Sequence, residues 1–564
     1  MTRRLTLCTG LVVTLAACGP NGGAADEAGA EGESGGVATD GAATGMATDG
    51  MGTAGGSADE TGDTSTEPLP PPPSTGLEIV EVTVDQGIRI PVARDSALVG
   101  PTERNSAVLQ NRPAVVRAFY ETDPGYVTRS IYAVLTIEHP DGTTVPYESF
   151  VNTSAEDCSA FPYIYECRYS SPSGSFIWRI EPEDMVPGVV YSIEMFETSP
   201  GHEDDVSDKS SIFPADGGAM QIGIENSYMK MRVVVVPFDH DIDPECAEAP
   251  DLLAEFGTDY HGNPRTVADY FAERLLAQNP ADEVEIIVHD VVPYFGNAQQ
   301  GFGILDTLQQ MRFQEGAPPE YYYYGVIRPC GGGPEFSGIA QLGGPSQGQA
   351  AQRVGWGVYH GSVSTTAETF VHDIGHEQGR FHIACSGEEG GPDPSYPDHP
   401  EGDTEGFGID VISNPVSINP PSSHDYMTYC GTTWVSEWAW HLVSPWIAEI
   451  SSWEQQASRA PTRPLLVGTV RADGTSSFYL TEGWFDEDSA REGHTVRFFE
   501  DGALLSETAA QWVHWERSED YNVIVPLPVE DATRIDTLSW HTPQAEGDID
   551  RASLRWVRPT SLVE

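Results

Sequence analysis

The sequence predicts a multidomain chain in which an α/β domain stands between an N-terminal and a C-terminal β-sandwich domain. Three observations carry this. At 564 residues the chain exceeds what one hydrophobic core supports. Period-two alternation broken by turn signals fills residues 77–225 and returns after 458. Between them, apolar strand runs alternate with helical patterns, the order of an α/β sheet.

From the start of the chain, Arg3 and Arg4 precede a short apolar run that closes on Leu15-Ala16-Ala17-Cys18. This resembles a bacterial lipoprotein signal, so residues 1–18 are expected to be a signal peptide and Cys18 the lipidated residue. The run is shorter than the roughly 20 apolar residues of a spanning helix. The expected location is the bacterial cell envelope, at the outer membrane or cell surface, with the membrane reached through the lipid on Cys18. Residues 19–76 hold no aromatic residue and end in a proline run. They read as a disordered acidic and Pro-rich linker.

Residues 77–225 carry alternating stretches at 77–84, 114–120 and 130–137, parted by Asp123-Pro124-Gly125 and Pro140-Asp141-Gly142. Short strands between turns suggest an immunoglobulin-like sandwich. Residues 226–458 begin with a buried-strand run at 231–237. A helix at 266–277, a strand at 284–288, a helix at 304–313 and a strand at 321–327 follow. Residues 338–344 and 354–359 read as edge strands, and 364–378 as a helix. Residues 459–564 return to short strands at 465–470, 495–499 and 521–525, read as a small sandwich.

The net charge of −57 excludes nucleic acid as a partner. Six cysteines lie beyond the signal: Cys158, Cys167, Cys246, Cys330, Cys385 and Cys430. An even set in an exported chain reads as disulfides, most simply paired in sequence order, with other connectivities open. The acidic stretch 388–403 is a candidate calcium binder by composition. It lacks a regular oxygen-ligand spacing and reads as a solvated loop.

The chemistry concentrates in His372-Asp373-Ile374-Gly375-His376-Glu377-Gln378-Gly379-Arg380-Phe381-His382. Histidines four apart on a helix share a face. Gly379 stands where the helix should end, because glycine accepts the left-handed turn that returns His382 to the same point. Three imidazoles with a fourth position left over make the arrangement of catalytic zinc. With 15 His and 58 Gly in the chain, these offsets arise by chance about once in a thousand such sequences.

This stretch resembles the metzincin signature H-E-x-x-H-x-x-G-x-x-H, with Asp373 in the glutamate position. Downstream, Ser423-His424-Asp425-Tyr426-Met427-Thr428-Tyr429-Cys430 is similar to the methionine turn of that family, with Met427 as its methionine. The resemblance implies an α/β metzincin-like catalytic domain and a zinc ion on His372, His376 and His382. It implies Asp373 as general base and acid, and a peptidase acting on extracellular proteins or peptides. Tyr429 matches a tyrosine that some metzincins place near the metal, and packing in the lower subdomain is its other reading. A Cys385–Cys430 bridge would brace the turn beneath the metal. Residues 338–344 resemble the strand against which the family lays an extended substrate.

Aspartate is one methylene shorter, so its oxygens retreat by roughly 1.5 Å. A misplacement of that size costs on the order of a hundredfold in rate. On this reading Asp373→Glu is expected to be at least as active as the parent. Glu377, one turn on, is expected to face solvent or a neighbouring element. The alternative to an enzyme is a weak or inactive surface binding protein, an adhesin with structural zinc.

Overall fold

The computed structural model describes residues 71–557, apart from 162–163, 172, 203–204, 244–247, 332, 335, 386–391, 398, 456–461, 516–519 and 530–531. The expected signal peptide with Cys18, the linker through residue 70, and Cys246 lie outside the described residues. No helix among the described residues is long and apolar enough to cross a membrane.

The expected fold class is not the one found. The chain is mostly β, with 39% strand against 20% helix, and it presents many sheets and a half-barrel instead of a clear α/β metzincin domain between two sandwiches. Two antiparallel sheets near the start pair Leu77–Asp85 with Ala114–Thr122 and Arg129–Glu138 with Thr144–Thr153. Their core is not separate. It runs on without a break from Leu77 to Trp453. The fully buried Arg112 shows why: its guanidinium donates to the carbonyls of Gln86, Leu276, Asn279 and Ala281, stitching the first sheets to a helix end far along the chain.

At the other end, seven antiparallel strands form one sheet instead of the two-sheet sandwich expected. It curls until Leu480 on its first strand bridges Trp556 beyond its last. Alternate residues explain the apolar run there. Leu466 faces the inside of the curl, whereas Leu465 and Val467 pack outward beside Ala351. Local periodicity identifies such strands but carries no information on which sheet each one joins.

The site rests on a central sheet. Five of its six strands are β1 (Lys230–His240), β2 (Glu283–Val288), β3 (Tyr321–Ile327), β4 (Gly338–Ala340) and β5 (Val354–Val358), in the order β2-β1-β3-β5-β4, and the short strand Val292–Tyr294 pairs with the end of β1. All neighbours are parallel except β4, which runs antiparallel to β5. Helices α1 (Val267–Gln278), α2 (Phe302–Gln314), α3 (Val363–Glu377) and α4 (Glu437–Gln455) pack against it. β1 reads as a continuous apolar run because both its faces are covered. Met231, Val233 and Val235 share a core with Phe271 and Phe370, while Val234, Val236 and Phe238 share another with Leu305 and Leu308.

Two readings of this region need correction. Residues 354–359 were expected at an edge, yet β5 lies inside the sheet between β3 and β4. Its Gly355 and Gly357 weaken the strand pattern because Glu377 and Tyr324 approach where side chains would stand. The 19-residue helix α4 has no counterpart in the sequence reading. Pro445 inside it is a residue that ordinarily ends a helix.

Burial gives the fold a pH dependence. Asp85 is buried and Asp306 half-buried, and desolvation pushes their carboxyls up to about 6 despite hydrogen bonds from Tyr169 and Thr469. Glu273 is likewise pushed up to about 7, mainly by burial. Between their ordinary values near 4 and these raised values, the folded chain binds more protons than the unfolded one. Stability is therefore greatest at the acidic end of that window and falls as pH rises through 6 to 7. The melting temperature at pH 5 is expected to exceed that at pH 8 by on the order of 5 °C. Calorimetry showing the reverse order would contradict this assignment.

Candidate metal centre

Helix α3 begins at Ser362, whose hydroxyl accepts from the Thr365 amide at 3.3 Å. Ala367, Phe370, Val371 and Ile374 bury one face in the core. The helix ends in a Schellman closure around Gly379, at φ +75°. The Gly379 amide donates to the His376 carbonyl at 2.7 Å and the Arg380 amide to that of Gly375 at 2.9 Å. A side chain at Gly379 would also meet Trp446 at 2.8 Å. This bend carries the chain back to His382.

The structure brings His372, His376 and His382 together. Nε2 of His376 lies 3.2 Å from Nε2 of His372 and 3.1 Å from Nε2 of His382. Two rings are oriented from behind by backbone. Nδ1 of His372 donates to the Tyr426 carbonyl at 2.8 Å, and Nδ1 of His376 to the Arg380 carbonyl at 2.7 Å. A carbonyl has no proton to give, so both hydrogens sit on Nδ1 and both Nε2 lone pairs face the common point. Nitrogens at 2.0–2.1 Å from a tetrahedral zinc ion stand about 3.3 Å apart. The observed spacings are within a few tenths of that. These three residues can hold a divalent cation.

Met427 is fully buried beneath them. Gly375 makes this possible, since a Cβ there would fall 2.4 Å from the Met427 sulfur. The turn is shaped by buried Asp425, which accepts from the amides of Met427 at 2.9 Å and Ser436 at 3.1 Å. The Ile383 amide donates to the Met427 carbonyl at 3.0 Å, and a Cys385–Cys430 disulfide closes the same floor. A second disulfide joins Cys158 to Cys167. The third expected pair cannot be drawn among the described residues, because Cys246 is not one of them.

Tyr429 is 37% exposed, with its hydroxyl 2.5 Å from Nε2 of His382. It faces the imidazoles and is not packed away. Asp373 is only 1% exposed, and its Oδ2 accepts from the Tyr324 hydroxyl at 2.8 Å. Both line a cleft of about 330 Å³ with His372, Gly338, Thr369 and Tyr426. Glu377 does not face solvent. It is fully buried, neither carboxyl oxygen has a hydrogen-bond partner among the described residues, and burial together with nearby Asp373 holds its carboxyl well above the usual range. It points at β5, not at the imidazoles.

Other clusters of metal-ligating side chains among the described residues involve the two disulfides, and the described residues of the acidic stretch 388–403 add no ligand to them. Sequence reasoning missed Tyr324. Period two along β3 puts Tyr322 and Tyr324 on one face, and both join the core that contains Phe370 of α3. No protein-family profile matches the chain, and no curated protein matches it in sequence.

Proposed function

We propose that the protein is a zinc-dependent endopeptidase of extracellular proteins or peptides, working from the three-histidine centre. The observation that supports this most is the convergence of three Nε2 atoms, two with their tautomer fixed, beside a cleft whose lining includes His372, the Asp373 carboxylate and the Tyr429 phenol. His372, His376 and His382 would hold the ion. When bound, zinc supplies Lewis acidity to a water molecule and to the scissile carbonyl.

The chain's own groups do the rest. The Asp373 carboxylate takes a proton from the attacking water and passes it to the leaving amine. The Tyr429 hydroxyl donates to the oxygen that gains charge in the transition state. β4 is an edge of the central sheet, and its backbone lies beside the cleft at Gly338. An extended peptide can add there as a further strand. Secretion and a lipid anchor on Cys18 would put this activity at the cell envelope.

The test is a peptide-library digest alongside metal analysis. Purified protein should bind one zinc and cleave internal peptide bonds, and a chelator should stop cleavage until zinc is restored. Tyr429→Phe should keep its zinc and KM while kcat falls about 10- to 100-fold. A variant as fast as the parent would remove Tyr429 from the mechanism. One observation favours a second reading, a surface binding protein with zinc as a brace: the base is the shorter aspartate. Retained zinc with no cleavage across the library would select that reading.

A further inference from the structure

Tyr324 lies on β3, the central strand of the sheet, and is fully buried. Its ring meets Phe370 of α3 edge-on, with centroids 5.0 Å apart. Its hydroxyl ends 2.8 Å from Oδ2 of Asp373. Two glycines make this contact possible. A Cβ at Gly338 would fall 2.1 Å from Oδ2 of Asp373, and one at Gly357 would fall 2.3 Å from the Tyr324 oxygen. These glycines face each other as a pair across β4 and β5. Side chains are thus missing at the two positions where the carboxylate and the phenol must fit.

We propose that Tyr324 is the positioning residue of the general base, its hydroxyl fixing Oδ2 of Asp373 against the Gly338–Gly357 pair so that the carboxylate is presented edge-on to the cleft. This rests on the peptidase reading above. A carboxylate is planar and an aspartate side chain has two torsions, so holding one oxygen sets the direction of the other. A phenol donates one proton and cannot take the base's place while it does so. The short aspartate is therefore aimed by a donor in the sheet. Local sequence gives no hint of this, because the partners are 49 residues apart.

Two measurements on the full chain test it. The first needs no metal or turnover: thermal unfolding of metal-free Tyr324→Phe, Asp373→Asn and the double variant. Both substitutions nearly preserve shape. Coupled partners should give a double variant melting within about 1 °C of the poorer single variant. The second is kinetic. Tyr324→Phe should keep zinc affinity and KM while kcat falls about 10- to 100-fold, the cost of an unaimed base. Additive melting shifts, or a zinc-loaded Tyr324→Phe protein with the parent's kcat, would overturn the proposal. The two readings fail separately. A parent that cleaves nothing but shows coupled melting loses the peptidase and keeps the pair. A cleaving parent matched by Tyr324→Phe keeps the peptidase and loses the pair.

Discussion

Gly379→Ala is expected to cost the protein most of its zinc affinity and to lower its melting temperature by about 2–5 °C. Two penalties add. An alanine at φ +75° sits in the left-handed region at roughly 1–2 kcal/mol. Its methyl would also enter the space held by the Trp446 ring, at 2.8 Å, and overpacking of that kind costs about 1–3 kcal/mol. The site suffers further because the bend performs two tasks. It returns His382 to the other imidazoles, and it places the Arg380 carbonyl that orients His376. Losing an outer hydrogen bond of this sort typically costs 10- to 100-fold in metal affinity. Competition against a chromophoric chelator measures the affinity, and calorimetry of the metal-free protein measures the fold. Gly379→Asn separates the two penalties, since asparagine tolerates the left-handed region but keeps the crowding. Unchanged affinity and melting in both variants would mean the bend does not position the centre.

Asp373→Ala is expected to reduce peptide hydrolysis by about 10²- to 10⁴-fold, the usual contribution of a general base. Zinc affinity should stay near the parent's, because His372 and His376 are oriented by backbone carbonyls. The structure also changes what Asp373→Glu should do. From sequence, glutamate simply restores the longer reach of the metzincin pattern. In the fold, Oδ2 is already seated against Gly338 and bonded to Tyr324. A carboxylate longer by roughly 1.5 Å cannot keep that seat and must turn into the cleft. Asp373→Glu is therefore expected to work within about tenfold of the parent and to become insensitive to Tyr324→Phe. Single-turnover rates on one peptide, with zinc content measured in each sample, decide the point. A glutamate variant still slowed by Tyr324→Phe would show that the phenol acts by another route.

The gathering of chemistry-bearing residues in a short stretch was open to the sequence because its geometry is local. Histidines at i and i+4 share a helix face whatever surrounds the helix, and Gly379 marks the bend because few other residues adopt its backbone angles. The same holds for single strands such as β1 and β3. Long-range pairing decided the rest. The Tyr426 carbonyl that orients His372 is 54 residues away, and Tyr324 is 49 residues from Asp373. The glycine pair against which the Asp373 carboxylate lies exists only once β4 lies antiparallel on β5. Periodicity reports whether one face of a strand is buried and is silent on which partner covers it. Two sandwiches around an α/β domain therefore became, in the fold, a mostly β chain with a continuous first core and a curled final sheet.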